Sequence, residues 1–320
     1  MTDLTPARPG APDITIISIP LSFEGPARVR QVNALRSWRN LGPRVTIALY
    51  GDEVGMVEVC AEFMAVHIPE VRTNEKGTPL VSAALQHAAR TFDTRLLLFA
   101  NSDILLCDDL LPALDGVALD RFLIVGNRTN MEVQKLLDFA EPDAAAQLRI
   151  RAQTEGVMQP PVGSDYFIFP RETAWQMPEL AVGRLGWDNW MIFRAREMGL
   201  PVIDATPSVT AVHQNHDYRH VKSRPAGSGI RPGHEDNANQ FTAGGVEAMF
   251  TLWDVDFQLV DGQLLRPRGV KYSRRRIQSG LVLNPATRPA YRLVRSVWAA
   301  ARIFLRRHHL VGPGTDVLSR

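Results

Sequence analysis

Short apolar runs alternate with amphipathic helical stretches along most of this chain, and that alternation restricts the fold more than any other feature. ITIISIP (14–20) is rich in β-branched residues, and RVRQVNALRSWRNLG then places Val29, Val32, Leu35 and Trp38 at helical spacing before Gly42. RVTIALYG (44–51), AVHIP (65–69) and RLLLFANSD (95–103) repeat the strand pattern, and TPLVSAALQHAAR (78–90) has a helical period with Pro79 in its first turn. Further strands are expected at 121–129, 165–170 and 201–205, and further helices near 141–152 and 188–199. Continuous apolar strands are buried on both faces, so the pattern predicts an α/β fold, a mostly parallel, doubly wound sheet flanked by helices. Ligands of such sheets bind outside the carboxyl ends of the strands, where Glu24, Asp52 and Asn101-Ser102-Asp103 fall.

The chain has 320 residues, which suits one large α/β domain or a domain with an appendage. Its start, MTDLTPARPGAPD, has acids and prolines where a signal peptide needs a basic and then apolar run, and residues 1–12 are predicted to be flexible. No uncharged apolar stretch reaches the roughly 18 residues of a membrane span. A cytoplasmic protein is expected, or one peripheral on the inner face of the membrane. Cys60 and Cys107 are the only cysteines, which excludes a disulfide framework or a cysteine-based zinc site.

The net charge of +2 conceals an asymmetry: Asp316 is the only acid after residue 261, against thirteen Lys and Arg. The first 261 residues hold 23 bases against 33 acids, a poor composition for nucleic-acid binding. After a predicted hairpin at FQLVDGQLLRP (257–267, turn at Asp261-Gly262), a basic extension, 266–320, begins. Residues 288–307 place Val294, Val297, Trp298, Ala301, Phe304 and Leu305 on one helical face and Arg288, Arg292, Arg295, Arg302 and Arg306 on another. Such a helix either makes peripheral membrane contact or packs its apolar face on the body of the protein.

Four segments carry candidate chemistry. Asp103, just past a buried strand, is placed to hold a hard divalent cation, although Asn101 and Asp103 also suit a plain turn. GSDYFIFP (163–170) feeds Asp165 into an aromatic strand, where it either meets a hydroxyl or caps a turn. GWDNWMIF (186–193) opens a helix with Asp188, a general base or an N-cap, beside Trp187 and Trp190, flat aromatic faces for a ligand or core residues. HQNHDYRH (213–220) offers His213 and His216 as neutral imidazole ligands, with a separate zinc site including His220 or a plain surface loop as the other readings. Gly, Pro, Ser and Asn accumulate from 221 to 240, so a flexible loop is expected there.

In their order these segments resemble the GT-A glycosyltransferases, the family-2-like nucleotide-diphospho-sugar transferases, over residues 14–265. LLLFANSDILL is similar to the acid-containing motif by which that family binds a metal and the donor diphosphate, but Asn101 leaves Asp103 as its sole carboxylate. The resemblance implies Mn²⁺ or Mg²⁺ held by Asp103 with His213 or His216, a nucleoside-diphosphate sugar as donor, and a glycan or lipid-linked acceptor. It implies that Glu24, Arg28, Asp52, Lys76, Asn101 and Ser102 line the donor site, and that Asp165, Trp187 and Trp190 line the acceptor side. Asp188 would deprotonate the acceptor hydroxyl, giving inversion. Asn74-Glu75-Lys76-Gly77 independently suits a diphosphate loop, since Gly permits close backbone approach and Lys supplies a point charge. Two rivals stand: a non-catalytic nucleotide- or glycan-binding protein of the same fold, and a sugar-phosphate nucleotidyltransferase. The latter needs a Gly-rich, basic loop after the first strand, where SIPLSFEGPARVR has only Gly25 before the helix.

Overall fold

Burial dictates the central strands: every residue of 14–18, 96–100 and 166–170 is removed from water, as the continuous apolar runs require. The computed structural model describes residues 13–141, 143–216 and 233–307. They form β1 (Ile14–Ser18), α1 (Gly25–Asn40), β2 (Val45–Tyr50), α2 (Met56–Phe63), β3 (Val66–Ile68), α3 (Val81–Thr91), β4 (Leu96–Ala100) and β5 (Ile104–Leu106). Next come α4 (Leu110–Asp115), β6 (Leu123–Val125), β7 (Thr129–Met131), α5 (Ala144–Glu155), β8 (Val157–Met158), β9 (Tyr166–Pro170), α6 (Trp187–Glu197), β10 (Val202–Asp204) and β11 (Ala211–Gln214). The last are α7 (His234–Thr242), β12 (Phe257–Val260), β13 (Gln263–Leu265), α8 (Val270–Leu283) and α9 (Arg288–Arg307).

Nine strands make the main sheet, in the order β13-β12-β10-β6-β9-β4-β1-β2-β3. The pairs β1/β2, β1/β4, β2/β3, β6/β10 and β10/β12 are parallel, and β9 runs antiparallel to both β4 and β6, so it joins two parallel halves. The expected α/β class, with a mixed, mostly parallel sheet flanked by helices, is observed. The hairpin turn is also where the sequence places it, with Asp261 and Gly262 both at positive φ, as a two-residue turn of the primed type demands.

Three expectations need correction. Pro79 does not enter α3: Thr73 bridges Pro79 and Leu80 bridges Ala181, so residues 79–80 stay extended and the helix starts at Val81. The plain surface loop offered as one reading of 213–220 does not start at His213: β11 covers Ala211–Gln214, which draws His213 into the ladder. The flexible loop expected over 221–240 is cut short by α7 from His234, where Glu235 accepts from Asn74, Thr78 and Arg184; residues 217–232, His220 among them, lie outside the described residues, as do 1–12.

A second sheet, β5-β11-β7-β8, was not legible in the pattern because each strand has only two to four residues. It packs against α1, whose Trp38 Nε1 donates to the Ile104 carbonyl and whose Ser37 Oγ accepts from the Leu106 amide. The chain divides after Arg268 into two compact units, the second containing α8 and α9.

Candidate metal centre

The apolar run of β4 stops at Ala100 because Asn101-Ser102-Asp103 forms a tight turn, closed by the Ile104 amide on the Asn101 carbonyl. That turn carries the chain from the main sheet into the second one and leaves Asp103 between them. Antiparallel pairing of β11 with β5 sets His213 opposite Ile104, immediately beside Asp103. Residues 110 apart in sequence thus meet through one strand register.

Asp103 Oδ2 lies 2.9 Å from His216 Nε2 and 3.3 Å from His213 Nε2. One ligand atom from each of the three residues falls within a 4.8 Å cluster. Around an ion with bonds of about 2.1 Å, adjacent ligands stand about 3.0 Å apart in octahedral geometry and about 3.4 Å in tetrahedral geometry. The observed separations suit either. Burial disfavours the charged form of Asp103, but hydrogen bonds and charge from His213 and His216 outweigh it and hold the carboxyl far below its usual range. A carboxylate ionised at neutral pH and facing two imidazole nitrogens is a donor set for a divalent cation.

A buried polar network fixes this constellation. Gln214, fully buried, donates to the carbonyls of Arg30 and Asp103 and accepts from Asn33 Nδ2, so a single side chain ties β11, α1 and the Asp103 backbone together. Gln31 binds Leu21 through both that residue's backbone groups and accepts from Ser102 Oγ, which ties the loop after β1 to the Asn101–Asp103 turn. Neither glutamine stands out in the sequence, because polar residues on a helix or strand next to apolar ones read as its wet face. Gln214→Met keeps the volume and leaves the buried partners unmatched. It is expected to cost about 2 kcal/mol in urea unfolding and about tenfold or more in Mn²⁺ affinity, measured by calorimetric titration.

Asp188 sits in the first turn of α6, where its carboxylate accepts the amides of Asn189, Ser164 and its own residue. Burial nevertheless dominates and, with the nearby charge of Asp165, pushes its pKa up to about 6 despite those hydrogen bonds. Gly163 lies against it: an added Cβ would stand 3.1 Å from Asp188 Oδ2, which would have to give by a few tenths of an ångström. Asp165 links this corner to the Asn101–Asp103 turn: its carbonyl accepts from the Asn101 amide and its Oδ1 from Asn101 Nδ2.

Three acceptor-side expectations are corrected. Asp165 is not an open hydroxyl-binding group, because Arg128 Nη1 reaches its Oδ1 at 2.6 Å in a largely buried ion pair and makes it a strut of the site. Trp187 is no sugar platform; its ring packs on Phe99 and Phe167, with centroids 5.1 and 5.0 Å away. Trp190 is equally buried. An amphipathic helix docking on an aromatic sheet face turns both rings inward.

The donor-side residues are dispersed. Glu24 and Arg28 are exposed at the start of α1, Asp52 is exposed after β2 with its carboxylate 4.0 Å from His67, and Lys76 is exposed in a turn built on Asn74 Oδ1. Among the described residues, none of these four side chains is hydrogen-bonded or ion-paired to Asp103, His213 or His216. Asn101 and Ser102 do flank Asp103, with Asn101 Nδ2 and Ser102 Oγ donating to Asp165 and Gln31.

No model of a known protein family matches this chain, and no curated protein sequence matches it. Solved structures do. Glucosyl-3-phosphoglycerate synthase from Mycobacterium tuberculosis, in complex with Mn²⁺, uridine diphosphate and glucosyl-3-phosphoglycerate, is 14% identical over 66% of this chain and 75% of that one, with a TM-score of 0.38. The synthase from the same organism with uridine diphosphate alone is 15% identical over 74% of this chain and 79% of that one, with a TM-score of 0.41. Likeness at this level transfers no substrate, metal or reaction to this chain.

Proposed function

We propose that this chain is a GT-A-type glycosyltransferase that moves a sugar from a nucleoside-diphosphate sugar to an acceptor hydroxyl. The observation that carries the reading is the convergence of Asp103, His213 and His216 at the carboxyl end of β4. Those residues would hold the metal, and two imidazoles with a single carboxylate suit Mn²⁺ better than Mg²⁺, which prefers an all-oxygen shell. When bound, the ion neutralises charge on a leaving diphosphate. Glu24 and Arg28, at the start of α1, and Asp52 and Lys76, on loops after β2 and β3, contact the nucleotide end of the donor, and Asn101 and Ser102 shape the turn beneath it. Arg128 and Asp165 brace the site between β4 and β6. Asp188, half-buried and with a raised pKa, takes the proton of the acceptor hydroxyl, which then attacks the anomeric carbon with inversion.

A thermal-shift screen of UDP-, GDP-, ADP-, CMP- and dTDP-linked sugars with Mn²⁺, Mg²⁺ or EDTA tests this reading. Stabilisation by one nucleotide class in Mn²⁺ and its loss in EDTA are expected, because a ligand bound only to the folded state raises apparent stability. No shift with any donor would sink the reading. A metal-dependent shift without turnover, even hydrolytic, would turn it into that of a binding protein.

A further inference from the structure

The second unit displays a basic and apolar surface unlike the rest of the chain. Helices α8 and α9 are joined at 284–287, where Thr287 Oγ donates to the Leu281 carbonyl and Arg288 Nε to that of Val282. Val270, Ile277 and Leu281 follow an i, i+7, i+11 spacing that puts them on one stripe of α8, and all three are exposed. On α9, Leu293, Val294 and Val297 share a face and are 68%, 57% and 60% exposed. Arg288, Arg292 and Arg295, at i, i+4 and i+7, line the other side of the same helix. Ten Lys and Arg and not one Asp or Glu occur between 269 and 307.

We propose that the α8–α9 pair docks this protein on an anionic lipid surface. Leu293, Val294 and Val297 enter the boundary between headgroups and acyl chains, and the arginines alongside them meet lipid phosphates. A helix of 20 residues is about 30 Å long, so α9 can lie along the interface for its whole length. It does not span: among the described residues no helix is long and apolar enough to cross a membrane. Lipid is favoured over nucleic acid because a phosphate backbone would engage the arginines and leave the aliphatic face in water, whereas a bilayer surface takes both. The proposal is independent of the chemistry at Asp103.

The test is sedimentation of the full-length protein with vesicles of phosphatidylcholine alone or mixed three to one with phosphatidylglycerol, at low and high salt. Binding to the anionic vesicles alone, weakened by salt, is expected. The pairs Val294→Asp/Val297→Asp and Arg292→Glu/Arg295→Glu should each lower the partition coefficient at least tenfold while the thermal unfolding midpoint stays that of the wild type. If the aspartates lower that midpoint, Val294→Ser/Val297→Ser replaces them, with a smaller loss of about threefold expected. No binding to anionic vesicles, or binding indifferent to both pairs, overturns the proposal. So does an oligonucleotide that displaces the vesicles and binds the aliphatic variants as tightly as the wild type, which would make the face a nucleic-acid one.

Discussion

Asp103→Ala is expected to abolish Mn²⁺-dependent stabilisation by the donor and to lower turnover by about a thousandfold or more, since a bound cation contributes several kcal/mol to a transition state that develops charge on the leaving group. The variant removes the one carboxylate of the cluster and leaves His213 and His216, whose Nε2 atoms face it at 3.3 and 2.9 Å, with no anionic co-ligand. His213→Ala and His216→Ala should weaken Mn²⁺ less, by one to two orders of magnitude each, because neutral imidazoles supply a lone pair but no charge. Calorimetric Mn²⁺ titration of the three variants ranks these losses directly. Equal Mn²⁺ affinity in Asp103→Ala and wild type would show that the metal does not bind at this cluster, and the transferase reading would lose its main support. The stability of the metal-free protein should move as well. The carboxyl of Asp103 is held well below its ordinary range, so its contribution is present above the unfolded-state pKa near 4 and fades as pH falls through the lower folded value. The difference in unfolding midpoint between wild type and Asp103→Ala should therefore be full at neutral pH and smallest in strong acid.

The sequence announced the main sheet because strands buried on both faces have a composition of their own, and β1, β2, β4 and β9 fall where apolar runs end in turn residues. The candidate metal site was legible only in pieces. Asp103 is visible as the acid that ends a buried strand, and His213 and His216 as an imidazole pair, but their meeting depends on the register of β11 against β5. Both strands are too short to have a period. The polar clamp of Gln31, Asn33 and Gln214 was invisible for a different reason: α1 is covered on two sides, and a helix packed between two sheets buries side chains that a single apolar stripe assigns to solvent. Trp187 shows the opposite error. An aromatic residue next to a candidate base has the same letters whether its ring faces a sugar or Phe99 and Phe167, and only the docking of α6 decides.

Asp188→Asn should lower kcat by between a hundredfold and ten thousandfold with little change in donor affinity, the range for loss of a general base. The wild-type pH profile provides a second, independent signature. A base must be ionised to act, and burial holds Asp188 protonated until about pH 6, so kcat/KM should fall tenfold per unit below that value and level off above it. Measuring Mn²⁺ affinity across the same pH range separates this limb from a loss of bound metal. Stability should change in the opposite sense to activity. A carboxyl whose folded pKa is raised destabilises the protein once both states are ionised, above pH 6, and has no such effect below the unfolded value near 4. Asp188→Asn retains an acceptor oxygen for the amides of Ser164 and Asn189 and removes the charge, so it should unfold about 1 kcal/mol later than wild type at pH 7.5 and with it near pH 4. A variant that is slower and more stable at neutral pH is what a buried catalytic carboxylate produces, whereas an aspartate that only complements the helix dipole would lose roughly a few tenths of a kcal/mol on the same substitution and leave the rate alone.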